Sequence, residues 1–147
     1  MGAGAVTYAR TYTGLRFGVR DEEAERLTAM SARIASDDDF TSQITWRVAR
    51  ARVVGDQGIG TEAKSLAQEA VELAEQTDCP NLRGDAWLSL AHARAANGEL
   101  DGAEQAAKTA RDQFLAKGNT VMAERSAGLV DYARGVSATT SGRSFRR

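Results

Sequence analysis

Apolar and small residues recur along this chain in steps of three and four, the spacing that gathers side chains on one face of an α-helix. One stripe runs through Ala24, Leu27, Ser31, Ile34 and Ala35, with Ser31 a small polar residue where the later stripes carry Ala. A second runs through Ala63, Leu66, Ala67, Ala70, Leu73 and Ala74, and a third through Ala103, Ala106, Ala107, Ala110 and Phe114. Another helical stretch precedes each of the last two: Ile44, Val48, Ala51 and Val54, then Trp87, Leu88, Leu90, Ala91 and Arg94. The pattern predicts helices in pairs, with no sheet.

The pairs repeat. Gly18, Gly58 and Gly98 stand forty residues apart, each followed by an acidic or polar residue and then an alanine. Each glycine therefore reads as the turn of a helix hairpin. Asp21, Thr61 and Asp101 are predicted N-caps, Asp101 with Glu104 forming an acidic capping box. Ser36-Asp37-Asp38-Asp39 and Thr77-Asp78-Cys79-Pro80 link successive hairpins, with Pro80 suited to the first turn of the next helix. Gly118 and Asn119 end one helix and open a closing helix, Thr120 to Arg134. The first hairpin is the poorest match, because its first helix, near Val6 to Phe17, contains Gly14, Thr7, Thr11 and Thr13. One hairpin cannot bury its apolar face alone, so stacking must supply the core. The predicted fold is all-α: an α-α superhelix of about three antiparallel hairpins plus a C-terminal capping helix over residues 1–134, followed by a disordered tail, 135–147.

The pattern resembles the tetratricopeptide repeat (TPR). That family places a small residue where the first helix packs on the second, a glycine in the turn and an alanine early in the second helix. Ala51 and Ala91, Gly58 and Gly98, and Ala63 and Ala103 stand at those places, and Ala70 and Ala110 at the later small position. Trp87 and Leu90 fall on the family's large apolar positions, where the preceding hairpin carries Arg47 and Arg50. The period is forty, against the family's ~34. From Gln43 to Ala127 the chain also resembles the C-terminal repeat region of bacterial signalling proteins that join a nucleotide cyclase, a P-loop ATPase and a helical repeat array. The matching segments are Gln43 to Arg47, Glu69 to Asp78 and Lys117 to Val121.

Composition agrees with helices. Leu, Ile, Val and Phe total only 26 residues, which alone would suggest disorder, but there are 27 alanines and a single proline. Alanine is the best helix former, and its small side chain lets helices approach closely. The formal net charge of −1 gives no broad nucleic-acid footprint. No apolar run is long enough to span a bilayer, and the first residues carry no basic region followed by an apolar stretch. The expected location is the cytoplasm.

Candidate chemistry is sparse. One cysteine and one histidine exclude a Cys/His zinc site and an internal disulfide. Gly58-Ile59-Gly60-Thr61-Glu62-Ala63 fits a dinucleotide fingerprint in spelling, but a helix precedes it and its first glycine belongs to the repeat. Gly55 to Thr61 lacks the lysine of a phosphate-binding loop. Asp37, Asp38 and Asp39 lack the spaced ligands of a calcium loop and read as helix caps. Cys79 and His92, about 20 Å apart along one helix, form no dyad. Arg33, Arg47, Arg50, Arg52 and Arg83 are interleaved with acids and read as solvated faces, and Arg143, Arg146 and Arg147 as a solubilising tail. Trp87 reads as core and Trp46 as a hairpin junction.

No catalytic residue, metal or cofactor is predicted, so function rests on surface. The TPR resemblance implies a groove lined by the first helix of each hairpin, at Thr45, Val48, Arg52 and Gly55, then Asp85, Leu88, His92 and Ala95. The expected function is a non-catalytic protein–protein interaction scaffold or regulatory module, with a peptide or small-ligand sensor as the alternative. The expected partner is another protein or peptide, not nucleic acid or membrane. This groove suits a helix or extended peptide with an apolar stripe and some negative charge. The surface around Tyr8, Tyr12 and Phe17 is open to a homodimer through the N-terminal hairpin.

Overall fold

The computed structural model describes residues 21–144, with side chains from 22 to 138. All regular structure in that span is helical, and no strand occurs among the described residues. The helices are α1 (Asp21–Ile34), α2 (Phe40–Asp56), α3 (Gly60–Ala74), α4 (Pro80–Ala96), α5 (Leu100–Ala116) and α6 (Thr120–Ser144). From α2 onward they begin at residues 40, 60, 80, 100 and 120. The forty-residue period thus resolves into units of twenty, each a helix plus a short link. The expected first helix near Val6 to Phe17, the Gly18 turn and the surface around Tyr8, Tyr12 and Phe17 lie outside the described residues.

Three links share one backbone geometry. Gly58, Gly98 and Gly118 have φ of 83°, 77° and 76°, the left-handed conformation that a side chain disfavours. Each glycine N–H donates three residues back, to the carbonyls of Gly55, Ala95 and Leu115. The next N–H donates five residues back: Ile59 to Val54, Glu99 to Arg94 and Asn119 to Phe114, each at 2.9 Å. These paired bonds are a Schellman motif, which satisfies the last carbonyls of a helix. Ile59 and Glu99 then serve at once as the end of this motif and as N-caps of α3 and α5, without a side-chain capping bond. Thr61 and Asp101 are therefore not N-caps and form no capping box. They lie inside the first turn, where an acid such as Asp101 still favours the positive helix end.

The other links behave as read. Asp39 caps α2, its carboxylate accepting from the Ser42 backbone N–H at 3.1 Å and from the Ser42 hydroxyl at 2.6 Å. Those bonds hold its pKa below the ordinary value. Pro80 occupies the first turn of α4. The closing helix continues past Arg134 to Ser144, through residues expected as tail. A helix already nucleated propagates at one hydrogen bond per residue fixed, even through weak formers.

Each helix packs on the next, and α2 also touches α4, as α4 touches α6. Among the described residues α1, α3 and α5 do not touch one another. The core forms two connected clusters. One joins Ile44 and Val54 of α2, the alanines of α3 and Leu90 of α4; the other joins Leu88 and Ala91 of α4, Ala106, Ala107, Ala110 and Phe114 of α5, and Leu129 and Val130 of α6. Half-buried Trp87 packs against both and donates its indole N–H to Glu75 at 2.8 Å. It is a seam residue more than a core one. Trp46 donates to Gln43 Oε1 at 3.1 Å, and Gln43 reaches the Ser36 carbonyl in the first link, which puts Trp46 at a hairpin junction.

The repeats interchange bulk. Buried Ala63, Ala67 and Ala70 recur as Ala103, Ala107 and Ala110, but Ala74 recurs as Phe114 and Ile44 as Gly84. A Cβ placed on Gly84 would lie 2.6 Å from the Phe114 ring. The large residue of one hairpin is on its first helix and that of the next on its second.

Arg47 pairs with Glu69 of α3 at 3.0 Å and Arg50 with Glu25 of α1 at 3.2 Å. Arg83 donates to the carbonyls of Ala74 and Glu75 at the end of α3.

Candidate functional groove

α2 and α4 each present a stripe to a groove beside the core, with Ala51, Leu88 and Ala93 belonging to both. On α2 it is Val48, Ala51, Arg52, Gly55 and Asp56; on α4 it is Asp85, Leu88, Ser89, His92, Ala93 and Ala96. The spacing is again three and four, so each stripe is one face of its helix. Met122 and Arg125 of α6 and Ala63 of α3 complete the lining of a groove of about 760 Å³.

Of the eight residues named from the sequence, Val48, Arg52, Asp85, Leu88 and His92 line this groove together. Gly55 lines it too, whereas Ala95 packs against the second core cluster. Thr45 does not line it. That side chain is buried, its hydroxyl donating to the Thr41 carbonyl of its own helix at 2.8 Å. Sequence reasoning missed Met122 and Arg125. The signal was the period itself, since Arg125 lies forty residues beyond Asp85 and eighty beyond Thr45.

The lining is apolar with a few ionisable groups. Arg52 and Asp56 pair across one helical turn at 3.5 Å, each about half exposed. Such a pair contributes at most ~1 kcal/mol. Asp85 is half-buried, and burial pushes its carboxyl up to about 6. His92 falls to about 4, first because the surrounding protein desolvates the imidazolium and next because Arg52 repels it, with Asp56 opposing weakly. His92 is exposed to solvent, so the desolvation comes from the groove walls beside it and not from a closed core. At neutral pH the groove therefore presents a carboxylate and a neutral imidazole.

Asp85, Ser89 and His92 share one face, but no hydrogen bond joins any two of them. Asp85 and His92 are separated by two helical turns, ~10 Å of rise. A nucleophilic serine needs its base within ~3 Å and a base poised near the working pH. Neither condition holds. A pair of convergent acids with raised pKa is also lacking, since Asp85 is the one such carboxyl among the described residues. Cys79 stands at the N-cap of α4, at the opposite end of that helix from His92. No group of three His, Cys, Asp or Glu residues gathers as a metal site among the described residues, and no described helix is long and apolar enough to cross a membrane. No protein-family model matches the chain, and neither a curated protein nor a solved structure matches it.

Proposed function

We propose that this chain is a non-catalytic interaction module, a TPR-like stack of helix hairpins that holds a segment of another protein in the groove between α2, α4 and α6. The observation that carries this reading is the placement of two helical stripes, Val48 to Asp56 and Asp85 to Ala96, side by side on one concave lining with α6 at its end. Repeat stacks use such a surface for extended ligands. The contact pattern supports the superhelix, because α2, α4 and α6 touch in a row while α1, α3 and α5 stay apart. A curved stack brings its inner helices closer than its outer ones. The resemblance of Gln43 to Ala127 to the repeat region of bacterial cyclase and ATPase signalling proteins supports a regulatory role in the cytoplasm.

The test is peptide selection. A random peptide library is selected on the full chain, and the winners are retested on Ser89→Trp, which fills the middle of the groove. The reading predicts binding to the parent chain and its loss in the filled variant with helical circular dichroism unchanged. Equal binding to both chains would contradict it. The groove volume also falls within the ~300–1,000 Å³ of small-molecule sites. That favours a small-ligand sensor as the second reading, recognised by thermal stabilisation with a metabolite and none with any peptide.

A further inference from the structure

One carboxylate of the groove has no ion-pair partner among the described residues. Asp85 projects from the second turn of α4, half-buried, beside an apolar lining to which Leu88, Val48 of α2 and Met122 of α6 contribute. The charged and titratable groups that share the lining are Arg52 and Asp56 from α2, His92 from α4 and Arg125 from α6; α3 brings only Ala63. Arg52 is committed to Asp56, and Arg125 donates to Met122 Sδ at 3.9 Å. Among the described residues no cation lies within ion-pair distance of Asp85, unlike Glu25, Glu69, Glu99 and Glu104, each of which pairs with a Lys or Arg.

A carboxylate withdrawn from water without a partner is unfavourable, and an incoming cation relieves that cost. A ligand carboxylate placed beside Asp85 would instead be repelled by its charge. Of the peptide expected from the sequence, the apolar stripe fits this lining, and negative charge next to Asp85 is disfavoured. Resting on the peptide-groove reading, we propose that the groove selects a peptide segment bearing a lysine or arginine whose cation pairs with Asp85, while a neighbouring aliphatic side chain of the same segment lies on Val48, Leu88 and Met122. A long basic side chain fits both halves of the lining, because its aliphatic stem covers apolar surface while its head stays polar.

The experiment compares the random-peptide selection on the full parent chain with the same selection on Asp85→Asn, which keeps the shape and removes the charge. The parent should enrich lysine or arginine next to an aliphatic residue. Asp85→Asn should lose that enrichment and bind a parent-selected basic peptide at least tenfold more weakly, with Asp85→Glu recovering part of the affinity. Binding by the parent should also weaken as the pH falls through about 6, where Asp85 takes up a proton. Identical enrichment on both chains overturns the pairing with Asp85. Winners that lack basic residues yet fail to bind Ser89→Trp overturn this inference and leave the peptide groove standing. No winners, or winners indifferent to Ser89→Trp, overturn both.

Discussion

Asp85 and His92 sit on one face of α4, and the groove moves their proton affinities in opposite directions. The Asp85 carboxyl rises from 3.8 to about 6, so the fold favours its neutral form. Its contribution to stability is complete below 3.8 and is lost as pH rises through about 6. His92 drops from 6.5 to about 4, so its contribution is complete above 6.5 and is lost as pH falls through about 4. Between about 4 and 6 the two slopes oppose each other. Asp85→Asn should therefore make stability rise more steeply with pH in that window, and His92→Gln should make it fall, with the parent flatter than either. Urea midpoints at a series of pH values check this, and two variants running parallel to the parent would contradict it. His92 is the only imidazole in the chain, so its ring-proton resonance gives a direct titration, expected near about 4. The register of these two residues was legible in the sequence. Their altered acidity was not, because it depends on α2 and α6 closing around α4.

The helices and their turns were the most legible part of the chain, since a forty-residue repeat of glycines and alanines needs no tertiary information to be seen. Gly98 ends α4 in the left-handed conformation. Gly98→Val should cost ~1 kcal/mol or more. Gly128 offers a contrast, being helical, exposed and with nothing within 4 Å of an added Cβ. Gly128→Ala should stabilise by up to ~1 kcal/mol. Chemical denaturation of the two variants reads both effects, and equal behaviour would refute the assignment of Gly98. The capping residues were misplaced because the Schellman turn uses the residue after each glycine twice, which starts the next helix before Thr61 or Asp101. Gly84 was missed for another reason. Within one helix it reads only as a weak helix former, and its purpose appears when Phe114 is seen against it. Phe114→Ala should cost ~3–5 kcal/mol. Gly84→Ile alone should destabilise by overpacking. The double variant rebuilds the Ile44 and Ala74 arrangement of the preceding hairpin, so its loss should be smaller than the sum of the two. Additive losses would show that the two positions do not share one space.

At the scale of the molecule, α2, α4 and α6 touch in a row and together line the groove that we propose as the binding surface. Six of the eight groove residues named from the sequence fell on one lining because steps of three and four keep side chains on one face of a helix. Thr45 stands in the same register as Asp85 and Arg125 but failed because its side chain is buried and its hydroxyl donates to carbonyls of its own helix. The part that α6 plays was missed because the groove register was carried through two hairpins only, although Arg125 continues it forty residues beyond Asp85. Outer helices share less contact than inner ones, and α1 touches only α2 among the described residues. Helices with fewer neighbours open more readily. The most direct test of the groove is hydrogen exchange on the full chain, alone and with a peptide selected on it. The account predicts slowed exchange in α2, α4 and the first turns of α6, with α1, α3 and most of α5 unchanged. Slowing confined to α1, α3 and α5, or none in α4, would contradict it.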